Sequence, residues 1–220
     1  LLYDLTELQR EANRRFDYPA KKTLDIMQRL YENHKVLTYP RTDSRYLTAD
    51  IVPTIRERLK ACAVGPYRKL SGTLFNKKIK ARPGFVNDAK VSDHHAIIPT
   101  EQFVDLTHMT IDERRIYDLV VRRFLAVLYP AYEYEQTSVV AESGGESFTA
   151  HGNIVKSAGW KAVYEEQDES LETTDPESES ERSQNLPELS EGDSFTNPRF
   201  ILTEGKTKPP ARFTESLLLS

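Results

Sequence analysis

"HKVLTYPRTDSRYL", residues 34 to 47, is the stretch on which the reading of this chain turns. A short apolar run from Val36 to Tyr39 is stopped by Pro40, and proline biases the residue before it away from helical dihedrals. Val36 to Tyr39 therefore reads as a short buried strand or extended segment with the tyrosine at its edge. On an extended backbone, residues two apart project to the same face, so Arg41 is able to approach the same anionic group as Tyr39. Arginine's planar fork suits phosphate oxygens. A tyrosine hydroxyl, with a pKa of about 10, attacks at neutral pH only where a nearby cation or base favours its phenolate. Taken alone, the stretch also fits a tyrosine that is packed by its ring and wet at its hydroxyl.

Upstream, Thr6 followed by Gln9 makes a capping box, and Leu5, Leu8 and Ala12 form an apolar stripe, which predicts a helix over 7–16. Leu24, Met27, Leu30 and Tyr31 recur at helical spacing and predict a second helix over 23–32, ended by Asn33. Downstream, Thr48 caps a third that runs to about Lys60, with Pro53 tolerable only near its first turn. Residues 63–105 read as irregular, punctuated by Gly65-Pro66, Gly72 and Pro83-Gly84. Thr110 with Glu113 is a further capping box, and Ile116, Leu119, Val120, Phe124 and Val127 make a core stripe, so 111–128 is a helix that closes a first domain.

From Tyr132 the pattern changes to β-branched and aromatic residues broken by Gly144-Gly145, the signature of a hairpin. Gly192 to Thr203 reads as a further strand, and Thr214-Glu215 opens a last helix. The fold class is α+β: a helical domain over 1–128, a β-rich domain over 129–209 interrupted by an acidic loop at 165–191, and the start of a further domain over 210–220.

The chain has 220 residues, 38% hydrophobic and 29% charged, which suits two modest domains. No run of about 18 apolar residues exists to cross a bilayer as a helix. A single cysteine, Cys62, excludes an internal disulfide framework and a cysteine-rich zinc site, and points to a reducing, cytoplasmic setting. The opening "LLYDLTELQREANRRF" lacks both an initiating Met and the order of a signal peptide, as expected of a piece of a longer protein. Net charge is −4, but Glu165 to Glu181 holds nine acidic and no basic residues; taking those nine away leaves +5. Such a run reads as a solvated loop.

"KVSDHHAIIPT", residues 90–100, places two histidines side by side. Neighbours on an extended chain point in opposite directions, and no Cys or His stands three or four residues away, so a metal site is not expected. A protonated histidine bonding a phosphate fits better. Gly-rich and Gly-Lys-Ser phosphate loops are absent, and no ATP site is expected.

"LTYPRTDSRYL", "SDHHAIIPT", "SAGWKAVY" and "TKPPARFTESLLLS" together resemble the type IA DNA topoisomerases, most closely the bacterial topoisomerase III branch. The four motifs stand in the family's order across nearly the whole chain, and "DLTELQREANRRF" is similar to the opening of the family's tyrosine-bearing domain. The resemblance implies that Tyr39 attacks a phosphodiester of single-stranded DNA and forms a 5′-phosphotyrosyl bond that later reseals. It implies that Arg41 polarises the scissile phosphate and that His94 holds a DNA phosphate beside the tyrosine.

By the same resemblance the β-rich domain is an arch that lets the tyrosine domain lift away. A Toprim domain, absent here, would supply the acidic cluster that binds Mg2+, leaving no cofactor in this chain and half an active site. The resemblance further implies a monomer acting on DNA in the cytoplasm, with a helicase as a partner of the full-length enzyme.

ATP independence suits transesterification, which stores the phosphodiester energy in a similar bond. Single-strand binding wants cations beside aromatic rings, and Arg45, Lys77 and Lys78 are candidates for the first, Tyr31, Tyr46, Tyr67 and Phe75 for the second or for the core. Two rival classes stay open. A tyrosine recombinase needs an Arg, His and Arg set placed before its nucleophile, whereas here Tyr39 precedes His94. A single-strand-binding module without catalysis would leave Tyr39 structural.

Overall fold

Asp4, and not Thr6, starts the first helix. The computed structural model describes residues 1–164, 186, 189–196, 198–207, 209–210 and 212–219. Helix α1 runs over Leu5–Phe16 because the Asp4 carboxylate accepts the Glu7 N–H at 2.7 Å, and it ends at Asp17, whose left-handed backbone (φ 53°) returns its N–H to Ala12 and Asn13. Thr6 stays exposed, so the predicted capping box is replaced by an earlier cap. Helix α2, Ala20–Glu32, begins three residues before the predicted Thr23. Its N-cap, Pro19, has no side chain to offer, and the Ala20 N–H is instead taken by Glu215 Oε1 at 2.9 Å.

The helix predicted from Thr48 to Lys60 is split. Ala49–Thr54 forms a 3₁₀ turn that contains Pro53, and α3 follows over Ile55–Ala61. Proline lacks the N–H that a continuous α ladder would use. A second correction concerns 63–105, which is not wholly irregular: α4 spans Tyr67–Phe75 despite Gly72. It buries Tyr67, Ser71 and Leu74, and the Tyr67 hydroxyl donates to Asp118 Oδ1 at 3.0 Å. That burial outweighs the roughly 1 kcal/mol that a helical glycine costs. Helix α5, Ile111–Leu128, has the predicted bounds and both bonds of the Thr110–Glu113 capping box, at 3.2 and 2.8 Å.

The chain forms two compact units. The first comprises Leu1–Pro130, Gly159–Glu166 and Phe213–Ser220; the second comprises Ala131–Ala158 and Gln167–Arg212. In the first unit, Ile116, Val120 and Phe124 of α5 are fully buried with Leu8, Ile26, Met27, Leu30 and Leu37. Buried Arg122 bonds Asp118 on its own helix and the Val163 carbonyl, fastening the returning 3₁₀ turn Gly159–Val163 to α5. A last short helix, α6, spans Glu215–Leu218; Ser216 N–H donates to Asn13 Oδ1 at 3.0 Å, which docks α6 on α1.

In the second unit, β1 (Glu133–Ser143) pairs antiparallel with β2 (Glu146–Ser157). Gly144 and Gly145 make the predicted turn at positive φ, 61° and 84°, where a Cβ would be strained. The strand predicted over 192–203 does not form among its described residues. Pro198 has no N–H to give a ladder, and Phe200 stacks on Phe148 of β2 at 5.4 Å instead. The acidic run from Glu165 to Glu181 lies outside the described residues. Among the described residues no helix is long and apolar enough to cross a membrane.

Candidate active site

Val36–Tyr39 and the loop that carries the two histidines are laced together by backbone and hydroxyl bonds. Thr38 N–H donates to Ile98 O at 3.0 Å, Ile98 N–H to Thr38 Oγ1 at 3.0 Å, and Thr100 N–H to Val36 O at 3.0 Å, with Leu37 facing Pro99. Farther along, Thr42 Oγ1 donates to His94 O at 2.8 Å, Ser44 Oγ to Lys90 O at 2.7 Å, and Ala96 N–H to Tyr46 O at 2.9 Å. Val36 and Leu37 on one side, and Ala96, Ile97 and Ile98 on the other, are buried, so the apolar residues of both segments anchor while their polar ends stay near the surface. Ile97 N–H also donates to Tyr3 O, and Leu5 N–H to Thr42 O.

Arg58 braces the same loop from behind. Its side chain is only 8% exposed; Nη1 donates to Pro99 O, Nε to Thr54 Oγ1, and Nη2 pairs with Glu101, each at 2.8 Å. Burial holds its pKa below the ordinary value, but an arginine remains charged.

The lacing brings Tyr39 to His94. Their ring centroids are 4.4 Å apart with planes inclined at 39°, and Tyr31 meets the Tyr39 ring edge-on at 5.5 Å. Tyr39 is 36% exposed, and His94 is exposed. His95 behaves differently: it is partly buried, its Nδ1 donates to Ala96 O at 2.7 Å, and desolvation lowers its pKa, which keeps the ring neutral. The two adjacent histidines thus part into an exposed one beside the tyrosine and an inward one that supports the loop.

Of the other candidates, Arg41 is exposed, and among the described residues no hydrogen bond or ion pair engages it. Lys77 and Lys78 are exposed just after α4. Arg45 is committed: Nε donates to Leu2 O at 3.1 Å and Nη2 lies 3.6 Å from Glu7. Cys62 is no rival nucleophile, since burial pushes its thiol up to about 11. Among the described residues no three His, Cys, Asp or Glu side chains group to hold a metal, so they do not by themselves fit a magnesium site.

Sequence reasoning missed the roles of Thr42, Ser44 and Arg58. The first two sit between charged residues, where a hydroxyl gives no signal of burial; Arg58 lay on a predicted helix with nothing to mark its partner loop. Tyr31 was part of the α2 stripe, yet it is 38% exposed and abuts Tyr39.

A family model described as DNA topoisomerase matches residues 1–220. Over 219 residues the chain is 58% identical to DNA topoisomerase 3 of Bacillus thuringiensis (strain Al Hakam) and 55% identical to DNA topoisomerase 3 of Bacillus subtilis (strain 168). Each alignment covers 100% of this chain, but only 30% and 29% of those proteins, so the chain spans less than a third of the length of these relatives. In fold it is similar to full-length topoisomerase I from Thermotoga maritima, with a TM-score of 0.54 and 24% identity over 74% of this chain and 26% of that one.

Proposed function

Because the chain belongs to the type IA DNA topoisomerase family, we propose that it carries the nucleophile half of a strand-passage site and that Tyr39 is the nucleophile. The observation that supports this most is the exposed Tyr39 ring held against His94, with the exposed Arg41 two residues on. In this reading residues 1–128 are the tyrosine domain, 129–209 the arch and 210–220 the start of a further domain, with Gly159–Glu166 and Phe213–Ser220 packed in the same compact unit as Leu1–Pro130.

In this reading the Tyr39 oxygen attacks a phosphorus of single-stranded DNA. The new bond joins phosphorus to the phenolic oxygen while the bond to the 3′ oxygen of the preceding nucleotide breaks; the phenol gives up its proton, and the 3′ oxygen gains one. The product is a 5′-phosphotyrosyl end and a free 3′ hydroxyl. Reversal reseals the strand, and no ATP enters because one ester replaces another. Arg41 binds the non-bridging oxygens and offsets their developing charge. His94, when protonated, holds a neighbouring phosphate. Magnesium, when supplied by residues outside this chain, adds positive charge at the phosphate.

By itself the chain binds single strands without cleaving them, because phosphoryl transfer loses roughly 10³-fold or more for each positioned charge removed. The polarity of the linkage tests the reading. Graft this chain into the Bacillus subtilis relative in place of the matching segment, cleave a single strand labelled on either side of the break, and denature. Label on the 5′-phosphate side should stay with protein; a 3′-phosphate linkage would overturn the reading in favour of recombinase chemistry.

A further inference from the structure

Thr42 is 8% exposed although it stands between two exposed charged residues, Arg41 and Asp43. A hydroxyl has one hydrogen, and that of Thr42 goes to the His94 carbonyl at 2.8 Å. Its oxygen accepts the Ser44 N–H at 3.1 Å, and the Thr42 carbonyl accepts the Leu5 N–H at 3.1 Å. Three parts of the chain therefore meet at one residue: the start of α1, the tyrosine segment and the His94 loop. Thr38 pins the tyrosine segment to the same loop through Ile98. Tyr39, Pro40 and Arg41 form the short arc between these two pins.

We propose that Thr42 is a positioning residue for the phosphate site, its hydroxyl setting where His94 stands relative to Tyr39 and Arg41. This rests on the reading of Tyr39, Arg41 and His94 given above. The His94 carbonyl is fixed by a bond from the tyrosine's own segment, so any shift of that segment carries His94 with it. The ring pair and the guanidinium then move as one body, which is what a site must do if an arginine, a histidine and a nucleophile are to converge on adjacent phosphates.

The test uses the 220-residue chain and three variants. Thr42→Val keeps the side-chain shape and deletes both the donor to His94 O and the acceptor of the Ser44 N–H; Thr42→Ser keeps both and deletes a methyl. Proton NMR reads the Tyr39–His94 ring contact as cross-peaks, fluorescence titration with a short oligothymidylate reads phosphate binding, and urea unfolding checks that each variant is folded. Thr42→Val should lose the ring cross-peaks and about fivefold in affinity, the worth of one hydrogen bond, whereas Thr42→Ser retains both. Should the valine variant not fold, Thr42→Ala makes the same deletion without the branched side chain.

Ring cross-peaks and affinity unchanged in the variant without the hydroxyl would overturn the proposal, as would equal losses in the valine and serine variants, which would mark a packing role. If the unmodified chain failed to bind oligothymidylate, the DNA reading itself would fall, while the cross-peaks would still decide whether Thr42 positions His94.

Discussion

The Tyr39 ring lies over the His94 imidazole with centroids 4.4 Å apart, although the two residues come from segments that meet only in the folded chain. Nothing in either side chain enforces the pair. It follows from the bonds between 36–46 and 90–100, which fix both backbones, with Tyr31 set edge-on to the Tyr39 ring. An exposed phenol held in this way has its orientation settled by the fold itself.

Binding to single strands should depend steeply on salt. Arg41, Lys77 and Lys78 are exposed cations, and each phosphate neutralised contributes about one unit of log-log slope through counterion release. Affinity is expected to fall by about an order of magnitude or more between low and physiological salt. Arg41→Ala and His94→Ala should each weaken binding modestly at every oligonucleotide sequence, because each removes a phosphate contact and no base contact. Affinity that stays flat across a salt titration counts against a phosphate-binding surface.

Arg58→Leu should destabilise the first unit by about 2 kcal/mol, measured by urea denaturation. The substitution leaves Pro99 O and Thr54 Oγ1 without their donors; Glu101, 45% exposed, recovers much of its loss from water. The loss should come with a weaker Tyr39–His94 ring contact, since Pro99 belongs to the same loop. A variant as stable as the parent would show that Arg58 does not brace the loop.

Much of this was legible in the sequence, wherever the signals were local. Helix α5 has its predicted bounds because its capping box and its stripe both lie within it. The hairpin turns at Gly144-Gly145 because two successive residues at positive φ favour glycine, which has no Cβ to clash. What was missed depends on distant partners. The start of α2 is set by Glu215, 195 positions away. Helix α4 was hidden behind Gly65-Pro66 and Gly72, and its stability comes from burial of Tyr67 against α5, including the bond to Asp118. Asp4 competed with Thr6 for the same helix start and won by its direct bond to Glu7. In the site, Tyr39, Arg41 and His94 were named from their motifs, but no spacing rule says that Tyr39 and His94 meet, or that Arg45 turns inward to Leu2 and Glu7.

Acid should loosen the loop through His95. Burial holds its pKa below the usual 6.5, so between the folded and unfolded values the unfolded chain binds more protons. The stability gained by keeping His95 neutral is complete above about pH 6.5 and is lost as pH falls through the folded value. In His95→Asn, whose amide N–H can replace the bond from Nδ1 to Ala96 O, unfolding free energy should vary less between about pH 7 and about pH 5 than in the parent. Carboxylates held low, such as Glu113, add acid sensitivity to both proteins alike, so the difference isolates His95. Equal pH slopes would contradict this assignment.

The nucleophile is tested most directly by removing one oxygen. In the full-length relative carrying this chain, with magnesium and an end-labelled single strand, Tyr39→Phe should abolish label retained on protein after denaturation. Non-covalent binding of the same strand should stay within about twofold, since the ring that stacks on His94 is preserved. A covalent 5′ adduct that persists at comparable yield in Tyr39→Phe would place the nucleophile elsewhere and contradict the account.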